Sequence, residues 1–198
     1  MGSTRLPGKV MKNLEGKTVL GHVIERVKQA RLINEIVIAT TTLDRDTTIE
    51  AEALRYGVKV FRGSEEDVLS RYYFAAKQNN LDVIIRVTSD CPLIDPILLD
   101  SMTEFYLSNN FDIVSNTGLD LTSRTYPRGL DIEIFSFGVL SNAFDNALED
   151  YQREHVTQYV YENADRIFCY KSDIDYSKYR WTLDTSEDFD LILQIYKS

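Results

Sequence analysis

Leu20, Val23, Ile24 and Val27 recur at the i, i+3, i+4, i+7 spacing of one helix face, which predicts a helix over about Val19–Arg31. The pattern then changes period. Glu35–Thr40 is a compact apolar run of strand length, followed by a helical stretch over about Asp46–Tyr56 that Gly57 closes. Val58–Phe61 reads as the next strand. Glu65–Gln78 reads as a helix with Val68, Leu69, Tyr72, Tyr73 and Ala76 inward, and Val83–Val87 as a third strand. A helix is predicted from Pro96 to about Ser108, then a short strand over Asp112–Ser115. Beyond this the pattern loosens. Asn116–Pro127 reads as a long loop, and Leu130–Ser136 alternates like a half-exposed strand. Helices follow over about Phe137–Ala147 and Glu154–Asn163, with strands at Ile167–Tyr170 and Tyr179–Leu183 and a last helix over about Ser186–Tyr196.

Short buried strands alternating with amphipathic helices predict a three-layer α/β/α architecture on a mostly parallel sheet. Its 198 residues fit one domain, with an inserted mixed subregion over about 116–170. Net charge is −9, from 22 Lys+Arg against 31 Asp+Glu, which argues against a general nucleic-acid binder and suits small ligands. No apolar run approaches the roughly 20 residues of a membrane span, so no membrane partner is expected. The two cysteines, Cys91 and Cys169, have no metal-ligand spacing and fit a reducing, cytoplasmic setting.

Candidate chemistry gathers at three places. Gly2-Ser3-Thr4-Arg5-Leu6-Pro7-Gly8-Lys9 combines backbone that can approach a ligand closely, hydroxyls, and two cations suited to phosphate oxygens. It is not a Walker A loop: Pro7 stands where the second glycine belongs, and Val10 rather than a hydroxyl residue follows the lysine. A plain turn at Pro7-Gly8 is the competing reading. Asp90 lies just past the carboxyl end of a predicted buried strand, where open α/β sheets bind ligands. A carboxylate there suits a hard cation such as magnesium. Asp95 is read as the N-cap of the helix that Pro96 opens. Asp184 follows the strand at 179–183. Thr185 with Asp188 resembles a capping pair, which would leave Asp184 to point outward; Asp184 as the cap itself is the alternative.

The segment Ser3–Lys9 resembles the N-terminal signature of the sugar-acid cytidylyltransferases, the enzymes that make CMP-Kdo and CMP-sialic acids, and is most similar to their spore-coat polysaccharide members. Further blocks agree in order: 61–69 (FRGSEEDVL), 86–95 (RVTSDCPLID), 126–131 (YPRGLD), 153–157 (REHVT) and 180–185 (RWTLDT). The resemblance implies a glycosyltransferase-A-like fold and transfer of CMP from CTP to a sugar hydroxyl, with release of pyrophosphate. It implies Gly2, Ser3, Thr4, Arg5, Lys9 and Arg86 around the nucleotide, with Arg5, Lys9 and Asp90 catalytic. Asp90 and Asp184 would hold Mg2+. Arg128, Asp131 and Arg153 are sugar-pocket candidates, because a guanidinium fork suits a carboxylate. No general base stands out, since His22 lies on a helix and His155 opens another. The tyrosines at 72–73 and 151–161 fit core or subunit contacts, which leaves a homodimer open.

The chain departs from the family at its start. Relatives carry an apolar strand and an arginine immediately before the position of Met1, so the expected sheet lacks its first, central strand, and Met1 is read as an internal methionine of a truncated gene model. The C-terminus likewise stops earlier than expected for the family. The competing functions are a same-fold transferase using another nucleotide or a nucleotide-sugar donor, and a catalytically inactive binding or assembly protein.

Overall fold

A computed structural model of the chain describes residues 1–117 and 124–198; the rest of the loop expected over 116–127 lies outside them. A small hairpin, β1 (Asn13–Leu14) and β2 (Lys17–Thr18), leads into helix α1 (Val19–Val27). Then come β3 (Val37–Thr41), α2 (Thr47–Arg55), β4 (Lys59–Gly63), α3 (Val68–Gln78), β5 (Val83–Arg86) and α4 (Pro96–Leu107). The second half contributes β6 (Ile113–Ser115), β7 (Glu133–Ser136), α5 (Phe137–Asn146), α6 (Asp150–His155), α7 (Gln158–Asn163), β8 (Ile167–Cys169) and α8 (Ser186–Lys197).

Side-chain alternation along the strands sends residues to opposite faces of the sheet and builds the layers. Ile84, Ile113 and Phe135 pack against α3, α5 and α7 through Leu69, Leu140, Ala143 and Val160. Their neighbours Ile134 and Val114 face α1 and α4 through Val23, Leu99 and Met102. Helices therefore cover both faces. β6 pairs parallel with β8, whereas β7 runs antiparallel between β5 and β6.

Four local features differ from the pattern expected above, each for a physical reason. Helix α1 stops at Val27 because the Asp100 carboxylate accepts hydrogen bonds from the N–H groups of Arg31 and Leu32, holding the chain out of the helical path. Helices α6 and α7 replace one helix because Val156 takes a left-handed φ of 62° and buries its side chain, while the Thr157 hydroxyl donates to Glu133. β7 is buried rather than half exposed: its polar position, Glu133, is 4% exposed and pairs with Arg86 of β5. Residues 179–183 form no strand; among the described residues they make one parallel bridge, Arg128↔Arg180.

β3 pairs with β4 in a two-stranded parallel piece, separate from the sheet of β5, β7, β6 and β8. Among the described residues no strand joins the facing edges of β3 and β5. Between them lies a cavity of about 820 Å³, lined by Ile38 and Ala39 on one side, Ile84 and Ile85 on the other, and Leu20 and Ile24 of α1.

Candidate active site

Three segments distant in sequence meet at the carboxyl ends of the strands. Gly8, at φ 67°, turns the N-terminal loop into a short 3₁₀ turn over Lys9–Met11, and the buried Val10 pins that turn into the core beside α1 and α2. Asp90 follows β5, in a turn where the Cys91 N–H donates to the Thr88 carbonyl (3.2 Å). Asp184 precedes α8. There Thr185 is the cap: the Asp188 N–H donates to its hydroxyl, and the Asp188 carboxylate accepts from the N–H groups of Thr185 (3.0 Å) and Asp184 (2.9 Å). The capping pair thus releases the Asp184 side chain. A hydrogen bond from the Leu183 N–H to the Asp90 carbonyl (2.9 Å) ties the two carboxylate-bearing segments together.

Lys9 lies between the two carboxylates, its Nζ 2.6 Å from Asp90 and 2.8 Å from Asp184. Arg5 reaches Asp184 at 3.2 Å from an exposed position, and Arg180 donates to Asp184 at 2.6 Å and to Asp188 at 3.0 Å. Burial works against the charge on Lys9, but the attraction of Asp90 and the hydrogen bonds to both carboxylates outweigh it and push its pKa up. Burial would lift Asp184, yet Lys9, Arg180 and Arg5 hold its carboxyl below the usual range. Lys9 and Asp184 are therefore both ionised near neutral pH. Three cations face three carboxylates.

This donor set fits a hard divalent cation. Two carboxylate oxygens already converge on one cationic centre, the Lys9 ammonium. Among the described residues no group of three or more His, Cys, Asp or Glu forms a complete metal cage. Two carboxylates completed by phosphate and water are the mode by which magnesium is usually held.

The other sequence candidates separate. In the loop, Ser3 accepts a hydrogen bond from the Leu6 N–H (3.3 Å), while Gly2 and Thr4 are exposed. Asp131 lies close enough to act with Asp90 on the buried Cys91 thiol, whose pKa burial, chiefly, pushes up; its carboxylate also pairs with Arg124. Arg128 is exposed, and its backbone holds the 179–181 segment in place (N–H to Tyr179 carbonyl 3.2 Å, carbonyl from Trp181 N–H 2.6 Å). Arg86 is engaged by the buried Glu133, which also accepts from Thr157 and Tyr161. Arg153 is held by Asp67 at 2.7 Å and by the carbonyls of Phe144 and Ala147. Among the described residues neither guanidinium forms an ion pair with Asp90 or Asp184. Asp95 is the N-cap of α4, accepting from the Ile97 N–H at 2.8 Å. His22 is buried, with its ring nitrogen bonded to the Leu14 carbonyl (2.6 Å). Sequence reasoning passed over Arg180 and Asp188 as members of the cluster; their i and i+8 spacing around Asp184 was the available signal.

A layered α/β sheet that gathers loop cations and strand-end carboxylates at one end has the architecture of a phosphate-handling enzyme. Residues 1–197 match the family model described as cytidylyltransferase, and the chain belongs to that family, a group of nucleotidyltransferases. It is 34% identical to the spore coat polysaccharide biosynthesis protein SpsF of Bacillus subtilis, over all of this chain and 83% of that protein. A cytidylyltransferase structure from Leptospira borgpetersenii superposes with a TM-score of 0.89 at 37% identity, covering all of this chain and 90% of that one. A structure of CMP:2-keto-3-deoxy-manno-octonic acid synthetase complexed with CTP superposes at 0.72 with 19% identity, covering 99% of this chain and 94% of that one. That last likeness is one of fold, the nucleotide-diphospho-sugar transferase fold. No helix among the described residues is long and apolar enough to cross a membrane.

Proposed function

We propose that this chain transfers CMP from CTP to the hydroxyl of a sugar acid, releasing pyrophosphate, with Mg2+ held by Asp90 and Asp184. The observation that carries the reading is the meeting of Lys9, Asp90 and Asp184 within 2.8 Å at the strand ends. Family membership supports the cytidine nucleotide, and the relative named for spore coat polysaccharide biosynthesis supports a surface-polysaccharide sugar. The setting is expected to be cytoplasmic.

The hydroxyl oxygen attacks the α-phosphorus, and the bond from that phosphorus to the oxygen bridging to the β-phosphorus breaks. The hydroxyl proton leaves to solvent or phosphate, since His22 is committed to a backbone carbonyl. Arg5 and Lys9 would neutralise the triphosphate, with Gly2, Ser3 and Thr4 of the same loop contributing backbone and hydroxyl donors. A bound divalent ion supplies charge neutralisation at the reacting phosphate and a lowered pKa for the attacking hydroxyl. Asp184 is steadied by Arg180 and by the cap on α8. The exposed Arg128, with Asp131, would serve the sugar subsite, because a planar guanidinium fork suits a carboxylate. Arg86 and Arg153 serve through their ion pairs with Glu133 and Asp67. A same-fold transferase using another nucleotide is the competing reading.

A coupled pyrophosphate assay across CTP, UTP, ATP and GTP, each paired with octulosonic and nonulosonic acids in Mg2+, tests the reading. Release is expected with CTP and at least one sugar acid, and not with the other nucleotides. Turnover with UTP, ATP or GTP but not CTP would give the site to the competing transferase.

A further inference from the structure

Within the cluster the cations Arg5, Lys9 and Arg180 pair with the carboxylates of Asp90, Asp184 and Asp188. The cation bridging Asp90 and Asp184 is the Lys9 ammonium, at hydrogen-bond distance from both. A divalent ion bound by the same two oxygens would have to occupy the same space, and two cations cannot share it. We infer that Lys9 is a placeholder cation that excludes metal from the nucleotide-free protein and yields its position when a triphosphate draws it away. This deepens the nucleotidyltransferase reading and rests on it for the identity of the arriving polyanion.

The local chemistry suits such an exchange. Lysine carries its charge as a point on a flexible four-carbon stem with rotatable donors, whereas the planar arginine fork is tied to a fixed geometry. The backbone of Lys9 is fixed by the 3₁₀ turn, so only the side chain need move. Arg180 is held by two carboxylates of its own segment and does not need to leave. A triphosphate brings about four negative charges at neutral pH, with the phosphate ionisation typical of monoesters as a guide. That is enough to engage Lys9 and Arg5 while a divalent ion takes the vacated carboxylate oxygens. Metal and nucleotide then bind as a coupled pair, and thermodynamic linkage makes the coupling reciprocal.

The test is Mn2+ binding without nucleotide, read by the loss of the free-ion paramagnetic resonance signal, in wild type, Lys9→Met and Lys9→Gln. Either variant that keeps the wild-type circular dichroism spectrum and melting transition is expected to bind Mn2+ at least tenfold more tightly than wild type. The gain should vanish in Lys9→Met/Asp90→Asn. In EDTA, CTP affinity should fall about tenfold in the single variants. Folded variants that bind Mn2+ no better than wild type would overturn the placeholder role, as would a gain that survives Asp90→Asn. The two readings fail separately. Wild-type CTP turnover with unchanged Mn2+ affinity in the variants removes the placeholder alone. A Mn2+ gain in a protein that never turns over CTP removes the substrate assignment alone.

Discussion

Asp184→Asn is expected to lower kcat about a thousandfold, equivalent to about 4 kcal/mol of transition-state stabilisation. Asparagine keeps the shape and one acceptor of the side chain but removes the charge that Lys9, Arg5 and Arg180 surround. The fold should tolerate this, because Lys9 retains Asp90 at 2.6 Å and Arg180 retains Asp188 at 3.0 Å. Melting is therefore expected to shift by no more than about 3 °C, the effect of ~1 kcal/mol in a chain of this size. Steady-state kinetics beside a thermal melt checks both halves. A kcat within tenfold of wild type would take Asp184 out of the machinery, and a melting fall above about 10 °C would make it a structural residue.

Gly129→Ala is expected to have the largest effect on stability. Gly129 sits at φ 104°, and a Cβ there would meet the backbone of the neighbouring segment at 2.4 Å from the Trp181 carbonyl carbon and 2.5 Å from the Thr182 nitrogen. Backbone strain and overpacking each cost about 1–3 kcal/mol at such positions. Together they predict a loss of about 3 kcal/mol and a fall in Tm of about 10 °C. The clash falls on the segment that presents Asp184, so CTP turnover should drop with stability, and lowering the assay temperature should not restore it. A melting point unchanged within 2 °C would show that the 128–130 turn and the 180–182 segment are not in close contact.

Periodicity made most helices and strands legible, because an amphipathic face is a local property. Misreadings arose where a distant partner set the backbone. Asp100 ends α1 from 69 positions away through the Arg31 N–H, and Glu133 shapes the break between α6 and α7 through Thr157. Residues 179–183 have the composition of a strand but, among the described residues, find a single bridge, to Arg128. The site divided in the same way. Asp90 at a strand end, and the Thr185–Asp188 cap that frees Asp184, follow from local rules. That Lys9 lies on both carboxylates does not, because its partners are 81 and 175 positions away in sequence. Arg86 and Arg153 carry the residue type that recognises phosphate and carboxylate. Their long-range pairing with Glu133 and Asp67 is invisible to any sequence pattern.

The central claim is that Asp90 and Asp184 share one divalent ion beside a triphosphate held by Lys9 and Arg5. A crystal structure with Mn2+ and a non-hydrolysable CTP analogue, phased for the anomalous signal of manganese, tests it most directly. The account predicts one peak about 2.0–2.2 Å from a carboxylate oxygen of each aspartate, with phosphate oxygens completing the shell and Lys9 moved onto the triphosphate. A manganese peak away from both carboxylates, or nucleotide bound with Lys9 still bridging Asp90 and Asp184, would contradict it.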